Sequence, residues 1–288
     1  METIERINGI PTRVLGRTGV RVTVLCVGGY HIGRDRDPQL GVRIIRTAID
    51  EGIDFLDNPW CYNDGESERI MGLALRDGHR EKVLLMTKNH GRDAATFRRQ
   101  LDESLKRLQT DHIDLLQFHE IIHQGEPDRI LSEGAMEEAI KAREEGKIRF
   151  IGFTGHRWPH LFKQMLGKDF EWDTVQMPAN LLDYYYRSFT KEILPILVER
   201  GIGIIGMKSL GGRGQIVKTG ITPREAISYA LSLPISTLVS GIDSLEVLAQ
   251  NLEIVRTWAP LTDEERSCLL ERVAPWAGDG RLEHYKTA

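Results

Sequence analysis

From Val22 onward the chain alternates, eight times over, between a short apolar run and a longer amphipathic one, and this alternation narrows the fold more than any other feature. The runs VTVLCVGG (22–29), IDFLDN (53–58), KVLLMTK (82–88), HIDLLQFH (112–119), IRFIGFT (148–154), DTVQMP (173–178), GIGIIGMK (201–208) and STLVSG (236–241) have the length and apolar density of buried strands. Helical periodicity fills the spaces between them: 38–52, 66–78, 94–108, 134–146, a segment from about Pro159, 190–201, 222–233 and 244–255. Thr222-Pro223-Arg224-Glu225 places a capping threonine, a first-turn proline and a glutamate where a helix start needs them. Thr262-Asp263-Glu264-Glu265 repeats the Thr/Glu spacing for a last helix in the tail. Continuous apolar strands, each followed by a helix, predict a parallel sheet covered on both faces. Eight such units fit a closed α/β TIM barrel, (β/α)8. A doubly wound open sheet competes, but rarely needs eight units this regular. Ahead of the barrel, TRVLGRTGVRV (12–22) predicts a β-hairpin with Gly16 and Gly19 in its turn. The expectation is one domain over residues 1–288: hairpin about 12–22, barrel about 22–258, C-terminal helix and tail 259–288.

Charge decides against several classes of partner. With 28% charged residues and a net charge of −4, the chain has no electrostatic footprint for nucleic acid or for an anionic membrane. The N-terminal METIERINGIP lacks the apolar core of a secretory signal, and no apolar run nears the roughly 20 residues that span a bilayer. Cys26, Cys61 and Cys268 form no CxxC pair, so neither a disulfide framework nor a thiolate metal cluster is expected. Reduced thiols in a cytoplasmic protein that acts on a small molecule are the expectation.

In a barrel of this kind, chemistry sits where strands end and the loops to the helices begin. Strand two ends in Asp57, strand three in Lys88 and strand four in His119, successive residues standing 31 positions apart. Neighbouring strands thus present a carboxylate, an ammonium and an imidazole at one rim. Tyr62 lies five residues beyond Asp57, close enough to fold back over that rim. A free phenol has a pKa of about 10. An ammonium beside it would favour the phenolate and bring that value down, while the carboxylate anchors the ammonium. A neutral histidine can hydrogen-bond a substrate oxygen. The set aims a proton donor at an oxygen, with neither a nucleophile nor a metal cage, and suits reduction of a carbonyl if something supplies hydride.

Across nearly its whole length the chain resembles the aldo-keto reductases, in a bacterial-type variant. The segments that carry the likeness are LGRTG, FLDNPWCYNDGESERIMGLAL, LLMTKNHGR, LDESLKRLQTDHIDLLQFH, GKIRFIGFTGH, IGMKSLGGRG and LVSGIDSLEVLAQNLEI. The resemblance implies Tyr62 as general acid, Lys88 and Asp57 tuning it, and His119 orienting the carbonyl of a small-molecule aldehyde or ketone. It also implies a nicotinamide cofactor, NADP(H), lying extended across the barrel mouth. Thr154 and Gln176 match positions that bond the carboxamide. An asparagine usual after Thr154 is Gly155 here, so one contact is missing or passes to His156. Met207 stands where a stacking tyrosine is common, followed by Lys208. The loop Leu210-Gly211-Gly212-Arg213-Gly214 suits backbone approach to a pyrophosphate. After strand eight come Gly241 and Asp243, with no lysine or arginine between Ser240 and Asn251. Asp243 either favours a free ribose, leaving NAD(H) open, or caps the last barrel helix. Gln250 and Asn251 match positions near the adenine. Tyr30, His31, Trp60 and Trp158 are candidates for the substrate pocket, with the tail residues Trp276 and Tyr285 folding over the mouth.

Two motifs compete with this assignment. QFHEIIH (117–123) contains HExxH, which binds zinc only when both histidines share one face of a helix and a third ligand, such as Glu144 or Glu145, is added. Its strand-like apolar density and the following QGEP oppose a helix, so no metal is expected. GIGIIG (201–206) fits GxGxxG but follows a helix, and Gly201 reads as that helix's cap. Two further functions share the barrel: a lyase forming a Schiff base on Lys88 or Lys208, and a non-catalytic regulatory subunit that senses nicotinamide cofactor.

Overall fold

A plug of leucine closes one end of the molecule, and the open end carries the polar residues. The computed structural model describes residues 5–34 and 37–287. Strands β1 (Arg6–Ile7), β2 (Ile10–Val14) and β3 (Arg21–Thr23) form a small antiparallel sheet. Strands β4 (Leu25–Gly28), β5 (Phe55–Asp57), β6 (Leu84–Asn89), β7 (Ile113–Phe118), β8 (Ile148–Thr154), β9 (Thr174–Pro178), β10 (Gly203–Met207) and β11 (Thr237–Gly241) follow. They pair in parallel in chain order, and β11 returns to β4 through Leu238↔Leu25 to Gly241↔Gly28. The expected (β/α)8 barrel is present, with the expected antiparallel hairpin ahead of it.

The helices fall close to the periodic segments: α1 (Pro38–Asp50), α2 (Glu66–Ala74), α3 (Ala94–Leu108), α4 (Glu126–Ser132), α5 (Ala135–Glu144), α6 (Pro159–Leu166), α7 (Phe189–Glu192), α8 (Leu194–Glu199), α9 (Pro223–Ser232), α10 (Leu245–Thr257), α11 (Asp263–Ala277) and α12 (His284–Thr287). Both anticipated capping boxes form, on Thr222 with Glu225 and on Thr262 with Glu265. Gly201 ends α8 at φ +64°, and GIGIIG continues as β10. Among the described residues no helix is long and apolar enough to cross a membrane.

Three boundaries differ from the sequence expectation, each for a local reason. The run 22–29 divides: Thr23 gives its N–H and hydroxyl to Asp54 Oδ1 at 2.7 and 2.8 Å, and the chain turns there from the hairpin into β4. The segment 190–201 breaks into α7 and α8 at Pro195, which lacks the N–H an unbroken helix requires. Helix α4, in the stretch after QFHEIIH, is too short to show a period.

Helix faces pack on the outside of the barrel, while Cys26, Phe55, Met86, Leu115 and Ile205 fill its interior. Leu15, from the hairpin, joins the interior group and is fully buried. The hairpin is held against the start of β10 by Arg17 N–H to the Gly201 carbonyl at 2.7 Å. Gly16 sits at φ +50°, and a Cβ there would lie 2.2 Å from Gly203 N, so only glycine permits the approach. The N-terminal end of the barrel is therefore sealed, and the C-terminal loops face the opposite way. Leu15→Ala is expected to cost about 2–5 kcal/mol, the range for truncating a buried leucine. Urea denaturation of the two proteins measures it, and a loss below 1 kcal/mol would mean that the plug contributes little.

Candidate active site

The three strand ends and Tyr62 come together at the open end. Asp57 closes β5, Lys88 lies one residue from the end of β6, and His119 directly follows β7. Lys88 Nζ pairs with Asp57 Oδ1 and donates to the Asn58 carbonyl at 3.2 Å, and both charged side chains are buried. The second Asp57 oxygen accepts from Gln176 Nε2 at 3.2 Å. Burial raises the Asp57 carboxyl above its usual range, and Lys88 opposes that rise.

Tyr62 reaches the rim because the loop after β5 is folded tightly. Trp60 N–H binds the Lys88 carbonyl at 3.0 Å, and Asn63, Asp64 and Gly65 all adopt positive φ. The Tyr62 ring meets Tyr30 edge-on at 5.1 Å and His119 at 5.9 Å. Burial pushes the phenol well above its ordinary pKa, and Asp57 adds to the rise. This reverses the lowered value expected from sequence. The Lys88 charge is committed to Asp57, so desolvation of the phenolate decides. The phenol is therefore held in its protonated form.

His119 is buried, and its Nδ1 lies 2.7 Å from His90 Nε2. Burial, followed by the neighbouring His90, holds the imidazole well below its usual pKa and hence neutral. Buried Arg92 gathers the surrounding loops, donating to the carbonyls of His90 (3.2 Å), His119 (2.5 Å) and Glu120 (3.2 Å) and pairing with Glu126. Glu126 accepts the N–H groups of Ile122 and His123 at 2.8 and 2.7 Å. The HExxH letters therefore trace a loop: Glu120 has φ +50°, His123 is exposed, and the next helix starts only at Glu126. Sequence reasoning gave no role to His90, Arg92 or Cys61. A signal for His90 existed, since it stands two residues beyond Lys88 and so shares its side of an extended chain.

Residues 24–228 match the family described as the aldo/keto reductase family. A Bacillus subtilis (strain 168) protein named uncharacterized oxidoreductase YrpG is 34% identical over 239 residues, covering 74% of this chain and 71% of that one. The chain belongs to the aldo/keto reductase family. As such it is an oxidoreductase. L-galactose dehydrogenase of Arabidopsis thaliana is 32% identical over 213 residues, 70% of this chain and 66% of that protein, just under two thirds of its length. Among solved structures, aldo-keto reductase AKR11C1 from Bacillus halodurans in its holo form superposes with a TM-score of 0.77 at 23% identity, covering 91% and 96% of the two chains, and so shares the fold.

The reductase's remaining rim residues can be placed against the expectations. Thr154 and Gln176 are register partners across β8 and β9, both buried. Gln176 Oε1 is buried without a hydrogen-bond partner among the described residues, a feature that fits an incoming amide N–H. Gly155 packs inward, where a Cβ would lie 2.7 Å from the Ile121 carbonyl, so an asparagine has no room. His156 does not take over that contact: its Nδ1 lies 2.9 Å from the Tyr285 carbonyl and its Nε2 3.0 Å from Glu120 Oε1. Met207 and Lys208 stand at the end of β10, with Lys208 at φ +60° and its Nζ 4.9 Å above the Tyr285 ring. Gly211, Gly212, Arg213 and Gly214 after Leu210 all have positive φ. Gly241 abuts His31, whose buried Nδ1 is unpartnered among the described residues. Asp243 is exposed and does not cap α10; Ser244 does, accepting from Val247 N–H at 3.2 Å. Ser244 holds the extended backbone at the cap position, where its short hydroxyl reaches that N–H. Asn251 is buried and donates to Ser240 Oγ at 2.9 Å, whereas Gln250 is exposed.

Of the aromatic candidates, Tyr30 lies beside Tyr62, and His31 lies on the ring of Tyr30. Trp60 turns away to α3, donating to Glu103 at 2.7 Å beneath Arg99 and Arg107, which offer the indole a carboxylate and two cations. Trp158 lies under Arg187 at 3.7 Å. Tyr285 does return over the mouth, its hydroxyl accepting from Asn180 Nδ2 at 2.9 Å, while Trp276 stays exposed beside Arg281. The tail is locked by fully buried Lys286, which donates to Asp183 Oδ1 at 2.7 Å and the Tyr186 carbonyl at 2.6 Å and lies 3.1 Å from Glu283. Lys286→Met would leave two buried carboxylates without their cation, at a cost of about 3–5 kcal/mol. The expected outcome is faster amide exchange over residues 281–287 in the variant, and unchanged protection there would show that the lock is dispensable.

Proposed function

We propose that the protein reduces an aldehyde or ketone to the alcohol, Tyr62 delivering the proton to the carbonyl oxygen. The observation that carries this reading is a protonated, partly buried Tyr62 whose ring meets neutral His119 at 5.9 Å, at the rim where the Lys88–Asp57 pair is held. His119 turns Nδ1 to His90 and so keeps Nε2 for the substrate oxygen, orienting the carbonyl toward the phenol. When bound, a nicotinamide cofactor supplies the hydride. Gln176 Oε1 and Thr154 are the groups for its carboxamide, and the backbone of Leu210–Gly214 is the cradle for its pyrophosphate. NADP(H) is the proposed form on family grounds. Exposed Asp243 opposes a 2'-phosphate, so the NADPH and NADH dissociation constants decide the preference. The likeness to L-galactose dehydrogenase adds aldose sugars, tested in both directions, to a panel of aldehydes, ketones and quinones.

Turnover is followed by the absorbance of the reduced cofactor. Tyr62→Phe is expected to lower it about a hundred- to ten-thousandfold with cofactor affinity retained. Comparable activity in the variant would remove the proton-donor assignment. Tight cofactor binding without turnover of any carbonyl would favour the regulatory subunit instead. A Schiff-base lyase is disfavoured at Lys88, whose ammonium is engaged by Asp57 and the Asn58 carbonyl.

The pH profile follows from the same phenol. Its acid form acts, and its pKa lies above the ordinary value of about 10. Reduction should therefore hold level through neutral and mildly alkaline pH and decline only as pH rises past about 10. A decline centred near neutrality, absent in His119→Gln, would transfer the proton donation to His119.

A further inference from the structure

Three donor atoms from three separate loops face one another beside Tyr62. Cys61 Sγ stands 3.1 Å from His90 Nε2 and 3.6 Å from His119 Nδ1, and the two ring nitrogens are 2.7 Å apart. All three atoms lie within 4.8 Å of one another. Each backbone is held independently. Trp60 N–H, next to Cys61, binds the Lys88 carbonyl at 3.0 Å, His90 N–H binds Gln100 Oε1 at 2.7 Å, and His119 N–H binds the Asn89 carbonyl at 2.9 Å. The three side chains therefore stand on backbone that the fold fixes.

We propose that Cys61, His90 and His119 form a binding site for one Zn2+ ion at the mouth of the barrel. One sulfur and two imidazole nitrogens are the donor set of a borderline-soft ion, whereas Mg2+ and Ca2+ demand oxygen. Tetrahedral zinc with bonds of about 2.0–2.3 Å places nitrogen and sulfur ligands roughly 3.5 Å apart and two nitrogens roughly 3.3 Å apart. The two sulfur–nitrogen separations already bracket the first value, and the nitrogens need to open by about 0.6 Å as their hydrogen bond gives way to the metal. Each ring can carry a single proton on the nitrogen facing away, leaving a lone pair toward the ion. Binding releases the Cys61 thiol proton to solvent. The fourth position lies open to water or to Glu120, whose carboxylate is 3.9 Å from His90 Nε2. This is not the zinc site that HExxH spells: His119 takes part through the fold, Cys61 and His90 come from other loops, and His123 has no part.

The proposal shares His119 with the carbonyl-reduction reading, using the ring nitrogen that reading leaves to His90, but its test needs neither cofactor nor turnover. Reduced, chelator-stripped protein is titrated with Co2+ as a spectroscopic stand-in, and Zn2+ is then added as competitor. One equivalent of Co2+ is expected to give a thiolate-to-metal charge-transfer band together with tetrahedral visible absorption, both abolished by Zn2+ and untouched by Mg2+. Cys61→Ala should remove the band and weaken Zn2+ at least about tenfold, and His90→Gln should weaken Zn2+ by a similar factor. Circular dichroism and melting temperature report the fold of each variant, and His90→Gln reads the same site should Cys61→Ala unfold. Absence of the band in the parent protein overturns the proposal. So does its persistence in Cys61→Ala, which would place the thiolate at exposed Cys268.

Discussion

The parallel ladder that joins β11 back to β4 makes everything else in the molecule possible. Once the sheet closes, no strand edge remains to be capped, and all eight strands point the same way. Residues at equivalent heights on neighbouring strands then share a rim without any further instruction. Asp57, Lys88 and His119 are neighbours for this reason alone, each one βα unit after the last. Closure also encloses the interior, so a lysine at the rim loses water and must find a partner within reach. Asp57 is that partner.

Charges buried around the mouth follow one logic. Lys88 with Asp57, Arg92 with Glu126 and Lys286 with Asp183 each combine desolvated ions with backbone acceptors that use the remaining donors. Such pairs yield little net stability against apolar replacements, but removing one partner is costly. Their effect is to fix the loops. Arg92 holds three carbonyls on two loops, and Lys286 fixes the tail that brings Tyr285 to the rim. Orientation at the site is thus supplied from beneath it, with Arg92 gripping the His119 backbone carbonyl rather than its ring.

What the sequence discloses is what repeats. Continuous apolar runs and period-3.6 helices expose the barrel, and the 31-residue interval exposes Asp57, Lys88 and His119, because closure converts interval into proximity. Contacts set by loop conformation left no such trace. Nothing in TKNHGR says that His90 meets Cys61, since that contact depends on the turn through Asn63 and Asp64. Asp243 and Ser244 are both good caps by composition, and the backbone angle chose Ser244. Trp60 was assigned to the pocket by its place in the chain, yet Glu103 and two arginines on α3 hold it elsewhere. A charge count places the Tyr62 phenol too low because it ignores desolvation, and burial outweighs a lysine already neutralised.

The leucine plug carries a consequence for how the chain comes together in time. The hairpin is made before the backbone it docks on, Gly201 to Gly203, which emerges nearly two hundred residues later. Arg13 likewise waits for the carbonyls of Leu231 and Ile235, at sequence separations of 218 and 222. During synthesis Leu15 therefore has no pocket to enter, and the barrel floor cannot seal until the strands that complete the ring are out. Contacts of such long range slow folding, because the entropy of the intervening loop is lost before the contact is made. Assembly is thus committed late and all at once: the hairpin, translated well before the strands it seals, is among the last elements to find its place.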